Sequence, residues 1–152
     1  MMSVFTEKEL RAIVRVNKMI DRKIKQGMTI VSPEAAASFF RSRIVYLEHE
    51  VFMVLFLNSQ NAVIDLQEMF RGTIDGASVY PREVVKEALR LNAACVCFFH
   101  NHPSGAPDIS NADRRITTHL CEALAMVDIR VLDHIIFAPG AKPTSFAEQG
   151  LL

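Results

Sequence analysis

The chain has 152 residues, half of them hydrophobic, which is enough for one sizeable core and too few for two ordinary domains. Basic and acidic residues number 17 each, so the basic excess of a dedicated nucleic-acid binder is missing. The first residues are charged, and no run of about eighteen apolar residues occurs. We therefore expect a cytoplasmic globular protein without a secretory signal or a membrane partner.

Two helices are predicted near the start of the chain. Capping-box spacing at Thr6, followed by apolar residues at helical intervals, predicts a helix over about Thr6–Lys25. The sequence SPEAAASFF, which begins at Ser32, has an N-cap residue, a proline and an acid in the order typical of a helix start. Because residues 1–40 are all helical, we expect an N-terminal appendage to a catalytic domain of residues 41–152.

Strands and helices alternate through the rest of the chain. The apolar run at 50–57 and the following AVIDLQEMF predict a hairpin, because the turn-like NSQN separates them. A glycine-containing loop at 72–80 leads into a third helix that begins at Pro81. ACVCFF, residues 94–99, predicts a buried strand that delivers the polar loop HNHPSGAPDIS. A helix over Ser110–Met126 and a strand at IRVLDHIIF follow, which indicates an α/β fold.

Two histidines and an aspartate around that polar loop have the pattern of a metal site. His100 and His102 project to one side if the strand continues through Asn101. Asp113 follows in the first turn of the next helix, with Ser110 as the N-cap. Ser-x-x-Asp is also an ordinary capping box, but capping alone leaves the histidine pair unexplained. Because catalytic zinc usually has three protein ligands and a water, we predict one Zn²⁺ per chain on His100, His102 and Asp113.

Other reactive side chains receive lesser roles. His134 could complete a three-histidine site, but a supporting or purely structural role is favoured. Ser104 is not predicted to be a nucleophile, because no histidine remains to activate it once both bind zinc, and a loop-shaping or substrate-side role is expected. The three cysteines lie in apolar surroundings without zinc-knuckle spacing, which predicts core thiols in a reducing compartment: Cys95, Cys97 and Cys121.

The spacing His100-x-His102 followed by Ser110-x-x-Asp113 resembles the JAMM signature of JAB/MPN-type metalloproteases. The segments FRGTIDGASVYPREVVKEAL, LNAA, HNHPSG and VLDHIIF resemble the RadC-like branch of that superfamily. The resemblance implies a JAB/MPN-like (cytidine-deaminase-like) fold, with a curved mixed sheet flanked by helices and zinc at the end of a central strand. Two departures are expected: no N-terminal helix-hairpin-helix segment, and Phe99 where a small residue commonly precedes the first histidine, which bears on the pocket's shape.

The resemblance also implies a function, namely a zinc metallopeptidase or isopeptidase that cleaves a peptide or protein substrate with metal-activated water. In that family a glutamate on an early strand accepts the proton of the water and returns it to the leaving amine. Glu50 matches its place best, with Glu48 as the alternative, and Ser110 is expected to help polarise the substrate carbonyl. Two alternatives stay open: a DNA-repair or mobile-element accessory protein acting near nucleic acid, which neutral charge disfavours, and an inactive binding module, which the intact ligands disfavour.

Overall fold

In the computed structural model, which describes residues 5–72 and 78–152, helices and strands alternate as the sequence predicts. The predicted helices and strands are all present, and a two-residue strand near the C-terminus is added to them. The predicted loop at 72–80 falls largely on residues outside the described ranges. In chain order the elements are α1 Glu7–Lys25, α2 Pro33–Ile44, β1 Val51–Leu57, β2 Val63–Arg71, α3 Pro81–Arg90, β3 Cys95–Asn101, α4 Asn111–Ala125, β4 Arg130–Phe137 and β5 Thr144–Ser145.

Side-chain caps start three of the helices where the sequence predicts them. Thr6 forms a capping box at the start of α1, Ser32 accepts a hydrogen bond from the backbone of Ala35 in α2, and Ser110 forms a second capping box at α4. Each cap satisfies a backbone N–H group that has no partner within its helix, and is worth about 1 kcal/mol. None of the helices in the described ranges combines the length and the apolar character needed to cross a membrane.

The strands form one mixed sheet in the order β2-β1-β3-β4-β5. β1 pairs antiparallel with both β2 and β3, whereas β3 and β4 are parallel and are joined by α4. Every residue of β1 and β3 is buried, which explains why both strands have nearly continuous apolar sequences. The predicted α/β fold with a mixed sheet flanked by helices is therefore confirmed.

Alternate side chains of the central strands enter two cores, one on each face of the sheet. Leu55 and Phe99 belong to the core that also contains residues of α1 and α2. Val54 and Phe98 belong to the core shared with α3 and α4. Burying one such large apolar side chain contributes about 1.5–3 kcal/mol. His100 is two residues beyond Phe98, so it lies on the face of the sheet that α4 covers.

Helix α2 is part of the first of these cores. Its Phe40 is fully buried, with a ring centroid 5.5 Å from that of Phe99. Helix α1 is attached more peripherally, because Ile20 is its one buried residue. α2 runs without a break across the predicted boundary between residues 1–40 and 41–152, and that division stays a prediction.

Candidate metal centre

The start of β1 and the end of β3 meet at one edge of the sheet. The two strands are antiparallel, and Phe52 is opposite His100 in their register. The residue just before β1, Glu50, therefore lies at the same edge as His102, which follows β3. The first turn of α4 adds Asp113 on the same side. Three separate elements thus supply the polar side chains of this edge.

Four side chains converge here and are called the ligand cluster: Glu50, His100, His102 and Asp113 each direct one nitrogen or oxygen inward, and these atoms all lie within 4.8 Å of one another. His100 Nε2 is 3.4 Å from Glu50 Oε1 and 3.3 Å from Asp113 Oδ1. His102 Nε2 is 3.4 Å from Asp113 Oδ2. The structure therefore brings together the three predicted ligands and the predicted proton acceptor, whereas Glu48 is exposed and is not in the cluster.

The surroundings of His100 show that the cluster fits a metal ion. Its Nε2 is buried and has no hydrogen-bond partner, although two carboxylates lie within 3.4 Å. Burial lowers the pKa of His100 to about 4, so the ring is neutral near pH 7 and forms no ion pair with them. An unpaired buried nitrogen costs about 1–3 kcal/mol. A cation would satisfy this nitrogen and both carboxylates, and imidazole with carboxylate is a ligand set that zinc accepts.

A turn after β3 orients His102. The imidazole Nδ1 is 2.8 Å from the carbonyl oxygen of Ala106. Since a carbonyl can only accept, Nδ1 carries the proton and donates, which leaves Nε2 to face the cluster. Gly105 has a φ of +85°, a left-handed conformation that allows the chain to turn back to this carbonyl. The hydrogen bond with Asp113 raises the pKa of His102, so protons compete with a metal for this ring at acid pH.

The capping box at the start of α4 also fixes Asp113. Ser110 donates to Asp113 Oδ2 from its backbone N at 2.8 Å and from its hydroxyl at 2.6 Å, and the backbone N of Asp113 donates back to the hydroxyl at 3.0 Å. Burial raises the pKa of Asp113, but the neighbouring His102 and the two hydrogen bonds from Ser110 lower it by more. The carboxylate is therefore ionised. The hydroxyl proton of Ser110 is directed at Asp113, and its role towards a substrate stays a prediction.

Asn101, for which the sequence predicts no role, holds the backbone on both sides of Glu50. It is fully buried; its Oδ1 accepts from the backbone N of Val51 at 2.8 Å, and its Nδ2 donates to the carbonyls of Leu47 at 3.3 Å and His49 at 3.0 Å. Burial raises the pKa of the Glu50 carboxyl group that this backbone presents. In the sequence, the feature that could have indicated this role is a polar residue at the end of an otherwise apolar strand.

The other residues singled out from the sequence lie outside the ligand cluster. Phe99 is fully buried in the core with Phe40, on the opposite face from His100, so it does not line the metal side. Ser104 accepts a hydrogen bond from the backbone of Ala106 at 3.4 Å, which helps to shape the loop. His134 lies behind His100, with its Nε2 2.9 Å from His100 Nδ1. All three cysteines are free; Cys95 and Cys97 are buried as predicted, whereas Cys121 is only half-buried.

These features define a class of protein, namely α/β domains in which histidines and carboxylates that could hold a metal ion meet at one edge of a mixed sheet. The family model described as "RadC-like JAB domain" matches residues 30–151. The chain belongs to the RadC-like JAB domain family, and the resemblance seen in the sequence is confirmed.

Relatives in several bacteria bear the name UPF0758 protein. One from Vibrio cholerae serotype O1 is 49% identical over 144 residues, which cover 95% of this chain and 90% of the relative. One from Marinobacter nauticus is 49% identical over 141 residues, covering 93% of this chain and 62% of the relative. One from Methylibium petroleiphilum is 46% identical over 145 residues, covering 95% of this chain and 65% of the relative. The chain thus spans less than two thirds of the length of the latter two relatives.

Proposed function

We propose that this protein is a zinc-dependent metallohydrolase, a peptidase or isopeptidase that cleaves an amide bond in a peptide or protein substrate. The observation that carries the proposal is the convergence of two histidines and two carboxylates around a buried ring nitrogen that has no partner. Membership of the RadC-like JAB domain family supports the same reaction class. Hydrolysis of an amide requires a polarised carbonyl, a water that loses a proton and a leaving amine that gains one.

His100, His102 and Asp113 are the residues that would hold the zinc ion. Three protein ligands from nitrogen and oxygen are typical of catalytic rather than structural zinc sites. When bound, zinc lowers the pKa of a water molecule to about 7 and polarises the substrate carbonyl. The ligand side chains are preset, because Ala106 orients His102 and Ser110 fixes the carboxylate of Asp113. We therefore assign Ser110 to holding Asp113.

Glu50 is the residue that moves the proton. Its carboxylate accepts a proton from the attacking water as the water oxygen bonds to the carbonyl carbon, and it delivers that proton to the amine nitrogen as the C–N bond breaks. Partial burial raises its pKa towards the range in which one group serves first as base and then as acid. The hydrogen bonds of Asn101 to Val51 and His49 keep the Glu50 backbone in place. Such proton transfer contributes about 10²–10⁴-fold to a rate.

The experiment that tests the proposal is a screen of peptide and isopeptide-linked libraries with the zinc-loaded protein, followed by Glu50→Gln. Glutamine fills the same space but cannot accept a proton, so we expect kcat to fall about a hundredfold or more while zinc content is unchanged. Glu48→Gln is the matched control, because Glu48 is exposed and should leave the rate unaffected. Loss of activity in Glu48→Gln alone would assign the role to Glu48. A wild type that cleaves no library member, or two variants that both cleave at the wild-type rate, would contradict the proposal.

A further inference from the structure

A chain of hydrogen bonds extends behind His100, away from the ligand cluster. His100 Nδ1 is 2.9 Å from His134 Nε2, and His134 Nδ1 is 2.7 Å from the hydroxyl of Thr117. That hydroxyl donates to the backbone carbonyl of Asp113 at 2.6 Å. His100, His134 and Thr117 are 3%, 0% and 1% exposed, so solvent does not compete for these bonds. These hydrogen bonds link the side chain of His100 to the backbone of Asp113.

The backbone carbonyl of Asp113, at the end of this series of hydrogen bonds, determines which atom donates in each of them. The Asp113 carbonyl can only accept, so the single hydroxyl proton of Thr117 lies on that side, and the Thr117 oxygen must accept from His134 Nδ1. His134 is fully buried among the rings of Phe52, Phe98 and Phe146, an enclosure that disfavours a charged ring, so His134 is neutral and its Nε2 has no proton. That nitrogen accepts from His100 Nδ1, and His100 Nε2, which is buried without a hydrogen-bond partner, is left without a proton.

We propose that His134 and Thr117 are positioning residues that fix the tautomer of His100, so that its unprotonated Nε2 faces Glu50 and Asp113. Metal-binding histidines generally donate their second ring N–H to a nearby acceptor, and losing that acceptor typically weakens metal binding about 10–100-fold. His102 uses a backbone carbonyl for this purpose, whereas His100 uses a second histidine. The link to metal affinity rests on the proposed function, but the tautomer itself does not.

Aromatic packing keeps the His134 ring in the orientation that this chain requires. The ring stacks on Phe146 with centroids 4.6 Å apart and an interplanar angle of 14°. Phe52 and Phe98 meet it edge-on, with centroids at 5.4 Å and 5.9 Å. Rotating the ring by 180° would place carbon atoms against Thr117 and His100 and break both hydrogen bonds. The apolar enclosure therefore holds both the orientation and the neutral state of this histidine.

The test combines zinc affinity with NMR of the histidine ring nitrogens in the zinc-free protein. Thr117→Val keeps the side-chain shape but removes the acceptor for His134 Nδ1. The His134 proton should then move to Nε2 and the His100 proton to its own Nε2, with zinc binding about 10–100-fold weaker. Thr118→Val is the matched control, because Thr118 donates to the carbonyl of Arg114 in the same way, at 3.0 Å, without touching His134. It should bind zinc as the wild type does.

His134→Phe provides a second variant, because phenylalanine keeps an aromatic ring among Phe146 and its neighbours but accepts no hydrogen bond. It should weaken zinc binding by a similar factor. Wild-type zinc affinity in both Thr117→Val and His134→Phe would overturn the proposal, as would wild-type spectra that place the His100 proton on Nε2. A wild type that does not bind zinc would contradict the proposed function instead, while its ring-nitrogen spectra would still decide the tautomer.

Discussion

Asp113→Asn separates the two roles that the structure gives this residue. The backbone N of Asp113 bonds to the Ser110 hydroxyl, which does not depend on the side chain, and an amide oxygen can still accept from the backbone N of Ser110. The capping bonds therefore stay while the negative charge at the start of α4 is lost, so we expect the free energy of unfolding of the zinc-free protein to fall by about 0.3–1 kcal/mol. Asp113→Ala also removes the acceptor of the hydrogen bonds from Ser110, and should lower the free energy of unfolding by about 1–2 kcal/mol.

Zinc binding should respond quite differently to the same change. At a zinc concentration about a hundred times its Kd, the wild type should gain about 2.7 kcal/mol of stability. If the amide weakens binding about a hundredfold, the gain at that concentration falls to about 0.4 kcal/mol. Urea unfolding with and without zinc measures both quantities. If zinc stabilises Asp113→Asn by as much as it stabilises the wild type, Asp113 is only a cap. If Asp113→Asn and Asp113→Ala lose the same free energy of unfolding without zinc, the side chain of Asp113 does not contribute to capping.

Two further predictions concern the zinc-free protein. Burial lowers the pKa of His100 from 6.5 to about 4, so between these values the unfolded chain binds a proton that the folded chain does not, and stability should fall as pH falls through this window. His100 alone accounts for up to about 3 kcal/mol, and the lowered pKa of His134 acts in the same direction. The raised pKa of His102 opposes this fall in part, and urea unfolding that shows rising stability towards pH 4 would contradict it. Asn101→Ala leaves the backbone N of Val51 and two carbonyls without their partners, which should lower the free energy of unfolding by about 3 kcal/mol; a loss below about 1 kcal/mol would contradict the positioning role.

The sequence predicts that His100, His102 and Asp113 converge because the signals for their placement are local. The apolar run before His100 identifies a buried strand, and the two-residue spacing brings His102 to the same side because β3 does extend through Asn101. The same alternation explains why Phe99 does not affect the metal side: it is adjacent to His100 and so points to the opposite face. Capping-box spacing likewise places Asp113 in the first turn of its helix. Each inference needs only a few neighbouring residues.

Contacts between distant parts of the chain could not be predicted in this way. The preference for Glu50 over Glu48 depends on how β1 is aligned against β3, and before the structure only the family resemblance favoured it. The bonds of Asn101 to the backbone around Glu50 cross about 50 positions of the sequence. His134 reaches His100 only because β4 lies parallel to β3. Sheet order and register, which no local pattern contains, decide all three.

Zinc content tests whether His100, His102 and Asp113 bind one zinc ion beside Glu50. Wild-type protein, loaded with zinc and dialysed against metal-free buffer, should hold close to one zinc per chain by elemental mass spectrometry. The double variant His100→Ala/His102→Ala should hold almost none while its circular dichroism stays that of a folded protein. His119→Ala, a control on the exposed side of α4, should retain the metal. Full zinc occupancy in the double variant, or none in the wild type, would show that these residues do not form a zinc site.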